Sequence, residues 1–267
     1  MLNLRWKAAA VGLVAALMMS VSGAGAAGVE VDGVPLSEEQ GWGRDGTSYV
    51  TLRALREFGD YTLVWNGQQA ILSGDGIELV AVPGEHYIEV NGRALYVAEG
   101  VGVLNGRTYL PLRVIADATG GVLRWDGERA VAGLELEGAF APCADYDEQR
   151  LYWLSRIISA ESRGELLEGQ IAVGNVVLNR VAHRNYPNSI REVVFDDKYG
   201  VQFEPVSNGT VFDEPAELSV LAAKMVLEGA DTVGDCIYFY APALSPGTWI
   251  NRNAEYYTTI GCHRFYR

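Results

Sequence analysis

The chain has 267 residues, with 21 lysines and arginines against 34 aspartates and glutamates, a formal net charge of −13. That length suits two ordinary domains. The acidity disfavours nucleic acid and anionic lipid as partners, so docking on any anionic polymer has to rest on local, short-range recognition.

Residues 1–27 read as a secretory signal peptide. Arg5 and Lys7 give a positive start, Ala8 to Val21 an apolar run, and Ala24-Gly25-Ala26 a small-x-small cleavage site. The run is shorter than the ~20 residues of a membrane span. The expectation is therefore a cleaved leader and an exported protein without an integral membrane segment. Loss of Arg5 and Lys7 leaves 21 − 2 = 19 basic residues against 34 acidic ones, a net charge of −15. Export also permits disulfides. Cys236 and Cys262 each begin an apolar, strand-like run, and either a Cys236–Cys262 disulfide or two buried free thiols fits that pattern. Cys143 is left over. His86, His183 and His263 are scattered, and no CxxC or HExxH spacing occurs. No metal site and no cofactor is expected.

Residues 28–137 hold an internal duplication. Asp45-Gly46-Thr47-Ser48-Tyr49-Val50-Thr51-Leu52-Arg53 aligns with Asn105-Gly106-Arg107-Thr108-Tyr109-Leu110-Pro111-Leu112-Arg113 at an offset of 60. The offset carries Trp65-Asn66-Gly67 onto Trp125-Asp126-Gly127. Upstream, Val31-Asp32-Gly33 matches Val90-Asn91-Gly92 at an offset of 59. Each copy reads as a strand, an Asx-Gly turn, a strand, a short helix with Leu52 and Leu55 or Leu112 and Ile115 inward, and a hairpin that starts at a tryptophan. The expectation is a small antiparallel α+β module with the aromatic residues in its core. The run NGRTYLPLRVIADATGG…RWDG, with its weaker first copy, resembles the copper amine oxidase N-terminal domain-like (stalk) module. The resemblance implies an accessory or wall-associated domain used for attachment or spacing. It implies no oxidation, since the copper site of those oxidases lies in another domain.

Small residues and Pro142 mark 138–146 as a linker, and residues 147–267 form a second domain, mostly α with a small sheet. Asp145 or Asp147 caps a helix to about Ser162. A second helix, to about His183, is apolar round much of its circumference and reads as buried and central. A short helix follows at Ile190 to Phe195, then an irregular stretch from Tyr199 to Gly209. An amphipathic helix runs to Leu227, and strands are expected at Cys236 to Tyr240 and Ile260 to Tyr266.

One carboxylate breaks the pattern. Leu154, Ile157 and Ile158 mark the inner face of the first helix, and helical spacing places Glu161 on it. Poor hydration there raises a carboxyl pKa and suits it to donate a proton near neutral pH. A structural pairing with Arg163 is the alternative reading of the same residue.

Three blocks frame this stretch: Ala160-Glu161-Ser162-Arg163-Gly164-Glu165 with Asn179-Arg180 beyond; Tyr199-Gly200-Val201-Gln202-Phe203-Glu204; and Tyr238-Phe239-Tyr240 with Trp249 and Cys262-His263. Together they resemble the cell wall hydrolase family of spore cortex-lytic enzymes (SleB type) over about residues 151–267. The resemblance implies a lysozyme-like, lytic transglycosylase-type fold acting on peptidoglycan glycan strands, with Glu161 as catalytic acid and base. It implies the loop bearing Gln202 and the strand bearing Tyr238 and Tyr240 as substrate contacts, with Tyr238 also open to a core role. Asn179, a polar group on a buried helix, reads either as a contact at the cleft floor or as a structural partner, and Glu165 and Arg163 read as structural support. Cys236 and Cys262 depart from the residues common at those positions, which fits an added disulfide. Of the remaining aromatics, Phe203 reads better as core than as a sugar platform. The alternatives left open are a hydrolysing muramidase or glucosaminidase, an amidase, and a non-catalytic wall-binding protein.

Overall fold

The computed structural model describes residues 28–198 and 200–267. The signal-peptide reading of residues 1–27 lies outside the described residues, as does Tyr199.

The first copy of the repeat runs β1 (Gly28–Val31), β2 (Val34–Pro35), β3 (Gly41–Arg44), β4 (Thr47–Thr51), α1 (Leu52–Leu55), β5 (Thr62–Trp65) and β6 (Ala70–Gly74). An added strand, β7 (Ile77–Ala81), leads to the second copy: β8 (Tyr87–Val90), β9 (Arg93–Tyr96), β10 (Gly102–Leu104), β11 (Arg107–Pro111), α2 (Leu112–Thr119), β12 (Val122–Asp126) and β13 (Val131–Glu135). Asp32-Gly33, Asp45-Gly46, Asn91-Gly92 and Asn105-Gly106 all take positive φ at both positions, the backbone of a tight hairpin turn. The two copies exchange strands. Equivalent strands β4 and β11 pair antiparallel with Val50 opposite Leu110, so a pseudo-two-fold axis passes between them. β1 crosses to pair in parallel with β13 of the other copy. β8 and β9 extend the sheet of β5, β6 and β7. Leu52, Leu55, Leu112 and Ile115 are fully buried, joined by Leu72, Leu79, Ile88 and Leu134.

The tryptophans depart from the expectation of a core role: Trp65 is 55% and Trp125 60% exposed. Each lies at or next to the end of an outer strand of its sheet, β5 or β12. The turn beyond each is held by Asn66 or Asp126, whose side-chain oxygen accepts the amides two and three residues on. The core closes on the aliphatic residues without them.

The second domain contains α3 (Glu148–Ser162), α4 (Leu167–Ala182), α5 (Ile190–Val194), α6 (Glu204–Asn208), a single 3-10 turn at Thr210–Phe212, α7 (Glu217–Leu227), β14 (Tyr238–Tyr240), α8 (Ile250–Asn253), β15 (Tyr256–Ile260) and β16 (His263–Tyr266). Asp147 caps α3 by accepting the Arg150 amide at 2.8 Å. Leu154, Ile157 and Ile158 of α3 pack with Ile171, Val173 and Val177 of α4 and Ala222, Met225 and Val226 of α7. Gly174 permits the close approach: a Cβ there would lie 2.8 Å from Ile158 and 2.9 Å from Val226. The stretch expected as one strand at Ile260 to Tyr266 is a hairpin turn plus its second strand, and β15 precedes it. Gly261 turns the chain with φ +56.

The cysteines are free, Cys236 buried and Cys262 exposed, which overturns a Cys236–Cys262 disulfide. Strand polarity gives the reason. β14 and β16 run antiparallel with Tyr238 opposite Tyr266 and Tyr240 opposite Arg264. That register puts Cys236 beyond one end of the sheet and Cys262 at the other, six residues along the strand or about 20 Å. A disulfide needs Cα atoms within ~7 Å.

The two domains touch. Ala94 of β9 is buried in the helical core, and Tyr87 and Tyr96 pack against it. Arg93 donates through Nε and Nη2 to Glu228, just past α7, at 3.0 and 2.6 Å. Ala141 of the linker is buried in the first module's core.

Candidate active site

Glu161 stands in the last turn of α3, half-buried, one residue before buried Ser162. Burial pushes its carboxyl up from the ordinary 4.5 to about 7, the charge of Glu204 pushes the same way, and the charge of Arg180 opposes them. No hydrogen bond contributes to the balance. Among the described residues none holds its oxygens by a hydrogen bond, and a carboxyl in this state can give up a proton near neutral pH.

Glu204 and Arg180 show what surrounds it. Glu204 starts α6, directly after the Gly200–Phe203 block, so this block reaches the C-terminal end of α3. Phe203 is 2% exposed and belongs to the core. Arg180, near the end of α4, is buried. It has the charged and phenolic groups of Glu161, Asp196, Tyr186 and Tyr238 as neighbours. Tyr238 is half-buried and meets exposed Trp249 edge-on, with ring centres 5.6 Å apart. Two chain segments far apart in sequence thus meet Glu161, and Arg180 links them to a third at Tyr238.

The other residues proposed for substrate contact are placed differently. Gln202 is half-buried and spends Nε2 on the Gly200 carbonyl of its own loop at 2.8 Å. Tyr240 shares the Tyr238 face of β14 but is tied into a cluster of its own. Its hydroxyl meets the Asn251 amide at 2.9 Å and its ring stacks on Tyr266 at 5.8 Å. Asn179 is a correction. It donates to the Gly234 carbonyl at 2.6 Å and the Cys236 carbonyl at 2.9 Å, so both amide hydrogens hold the loop before β14 rather than the cleft. Asn175 does the same one turn earlier, with the Ala230 carbonyl at 2.6 Å.

Glu165 and Arg163 do not pair with each other. Arg163 is exposed and reaches Ser159 and the Glu214 carbonyl, both at 3.5 Å. Glu165 accepts the Cys262 amide at 3.1 Å and lies 3.8 Å from Nδ1 of buried His263. Burial lowers the His263 pKa against the pull of Glu165, so the ring is neutral near pH 7 and the contact is not an ion pair. Glu165 therefore clamps the β15–β16 turn to the start of α4. Arg180, Glu204, Tyr186 and Asp196 are the neighbours that sequence reasoning did not single out. The one available signal was an arginine inside a helix that is apolar round much of its circumference. Two concavities, of about 350 and 540 Å3, lie elsewhere, against Phe58 and Tyr61 and against Tyr257 to Gly261, and neither includes Glu161.

The cell wall hydrolase family profile matches residues 164–266. Residues 164–266 are thus similar to cell wall hydrolases. The copper amine oxidase N-terminal domain profile matches residues 30–132 and covers the duplicated module. The hydrolase match begins three residues after Glu161, so the case for that acid rests on its geometry. The spore cortex-lytic enzyme of Bacillus cereus is 30% identical over 105 residues, 39% of this chain and 39% of the relative. That of Bacillus subtilis strain 168 is 31% identical over 97 residues, 36% of this chain and 31% of the relative. The chain thus spans about two fifths or less of the length of these curated relatives. The catalytic domain of the germination-specific lytic transglycosylase SleB from Bacillus anthracis is similar at 28% identity with a TM-score of 0.43. It covers 47% of this chain and 100% of that domain.

Proposed function

We propose that the protein is an exported enzyme that degrades peptidoglycan, cleaving the glycan strand between N-acetylmuramic acid and N-acetylglucosamine, with Glu161 as acid and then base. The observation that carries this reading is a hydrogen-bond-free carboxyl, raised to about 7, at the entrance of a cell wall hydrolase domain. Its proton goes to the leaving glycosidic oxygen as the C1–O bond breaks. The acetamido oxygen of the muramic residue holds C1, and its C6 hydroxyl then bonds to C1. The Glu161 carboxylate takes the hydroxyl proton and returns to its starting state. The product is a 1,6-anhydro sugar, no water is consumed, and no second carboxylate is required. The relatives named as spore cortex-lytic enzymes support the wall, and spore cortex during germination in particular, as the place of action. The leader-like residues 1–27 support export. Tyr238, Trp249 and Gln202 line the approach to the cleft in this reading, with Trp249 free to stack on a sugar face.

One observation favours a second reading. Glu204 is exposed and close enough for its charge to raise the Glu161 pKa, and paired carboxylates are the usual equipment of hydrolysing glycosidases. Mass spectrometry of fragments released by the purified protein from sacculi and from spore cortex separates the readings. Anhydromuramic ends lost in Glu161→Gln and kept in Glu204→Gln support the transglycosylase. Reducing muramic or glucosamine ends, lost in both variants, establish the hydrolase. Free peptides with intact glycan would mean an amidase, and binding without release a wall-binding protein.

A further inference from the structure

Arg180 is 5% exposed, and its side chain is shared among three parts of the fold. Nε donates to the Ile237 carbonyl at 2.8 Å, which fixes the chain one residue before Tyr238. The guanidinium carbon lies 5.0 Å from the centre of the Phe203 ring and 5.3 Å from that of Tyr186. Phe203 precedes Glu204, so one planar cation sits between the start of α6 and the start of β14. Its Nη1 is buried and has no hydrogen-bond partner among the described residues. A buried cation with an unused donor is destabilising. Phe203, Tyr186 and the α4 stem could be packed as well by an apolar side chain, so packing does not account for the charge.

We propose that Arg180 is a positioning residue that fastens the Phe203–Glu204 block and the Tyr238 strand to α4, and that its unused donor and charge favour the carboxylate Glu161 becomes on giving up its proton. The inference rests on the acid–base reading of Glu161. The groups that face Glu161 are Glu204 and Arg180, and those that face Arg180 are Glu161, Asp196, Tyr186 and Tyr238. Glu204 and burial favour the neutral acid, while Arg180 favours the anion. The cation thus interacts more strongly with the state after proton transfer than with the state before it, which is the condition for lowering a barrier.

The test compares wild type, Arg180→Met, Arg180→Lys and Glu161→Gln by the rate of muropeptide release from purified sacculi across pH, with Tm measured in parallel. In Arg180→Met, kcat falls roughly 30- to 100-fold while KM stays within about threefold, and the alkaline limb of the rate profile moves up by about half a unit or more. Arg180→Lys keeps the alkaline limb in place and recovers about tenfold of the lost kcat. If the methionine variant does not fold, Arg180→Gln, which is uncharged and keeps a donor, supplies the same limb. An unmoved limb in the uncharged variants, or a lysine variant no better than they are, overturns the role of Arg180. A wild type that releases nothing, or a Glu161→Gln that still releases fragments, overturns the acid–base reading and this inference with it.

Discussion

The Glu161 carboxyl at about 7 has a consequence for stability that does not involve substrate. Its folded pKa lies above the ordinary 4.5, so the folded state prefers the protonated form. The penalty for burying the anion is absent below about pH 4.5, grows as pH rises through 7, and is complete above it. Glu161→Gln mimics the protonated form. The variant should exceed wild type in unfolding free energy by about 2 kcal/mol at pH 8, and the gain should vanish by about pH 4.5. Denaturant melts at the two pH values check this, and equal stability at pH 8 would contradict the environment assigned to the side chain. Glu204→Gln removes one of the two upward pushes, so the Glu161 pKa should fall below its wild-type value, read from the carboxyl carbon in an NMR titration. How Glu161 stood out in the sequence is clear from its spacing: Leu154 and Ile157 define a face and three- and four-residue steps land on it. Arg180 did not stand out, because its partners arrive from residues 186, 203 and 237. No local pattern encodes them, and Asn179, its neighbour on α4, turned out to serve the backbone instead.

At the level of elements, the β15–β16 hairpin shows how a carboxylate that resembles a catalytic one does structural work. A Cβ on Gly261 would lie 1.7 Å from the Glu165 carboxylate, and the residue holds φ +56. Gly261→Ala therefore forces Glu165 off the Cys262 amide and adds backbone strain, and should cost about 2–3 kcal/mol. Glu165→Ala should destabilise by about 1–3 kcal/mol while leaving kcat within a few-fold at temperatures where it is folded. In the double variant the clash has no partner, so the two losses should sum to more than the measured total. Additive losses in a double-mutant cycle would show that the clamp is not what holds the turn. The Asx-Gly turns of the repeat were legible because positive φ at both central positions is local chemistry. The hairpin turn at Gly261-Cys262 was not, since a lone glycine followed by cysteine carries no turn signal and the flanking runs merge into one apolar stretch. The tryptophans misled for a related reason. Alternation between turns marks a strand, but it does not say which face the rest of the chain covers, and the exchange of β1 and β8–β9 between copies decides that.

Across the whole molecule, the join between the module and the helical domain is built on a charge pair. Arg93 and Glu228 are 10% and 16% exposed in their side chains. Arg93 also donates to the Asp117 carbonyl at 2.8 Å, and Tyr146 of the linker faces Glu228, where burial raises its pKa. Such a pair contributes little net stability against a well-packed apolar replacement, because both ions lose hydration. Removing one partner strands the other and costs about 3–5 kcal/mol. Here the stranded charge would sit between two domains, each with its own core. The cost should therefore appear as uncoupling rather than as loss of either fold. Wild type should unfold in one calorimetric transition. Glu228→Ala should separate it into two, with the module and the helical domain melting apart. Replacing both partners, as Arg93→Met with Glu228→Leu, removes the stranded charge and should bring the transitions back together. One transition in Glu228→Ala would show that Tyr87, Ala94 and Tyr96 packing on the helical core holds the domains without help from the ion pair, and two transitions in wild type would show that neither contact couples them.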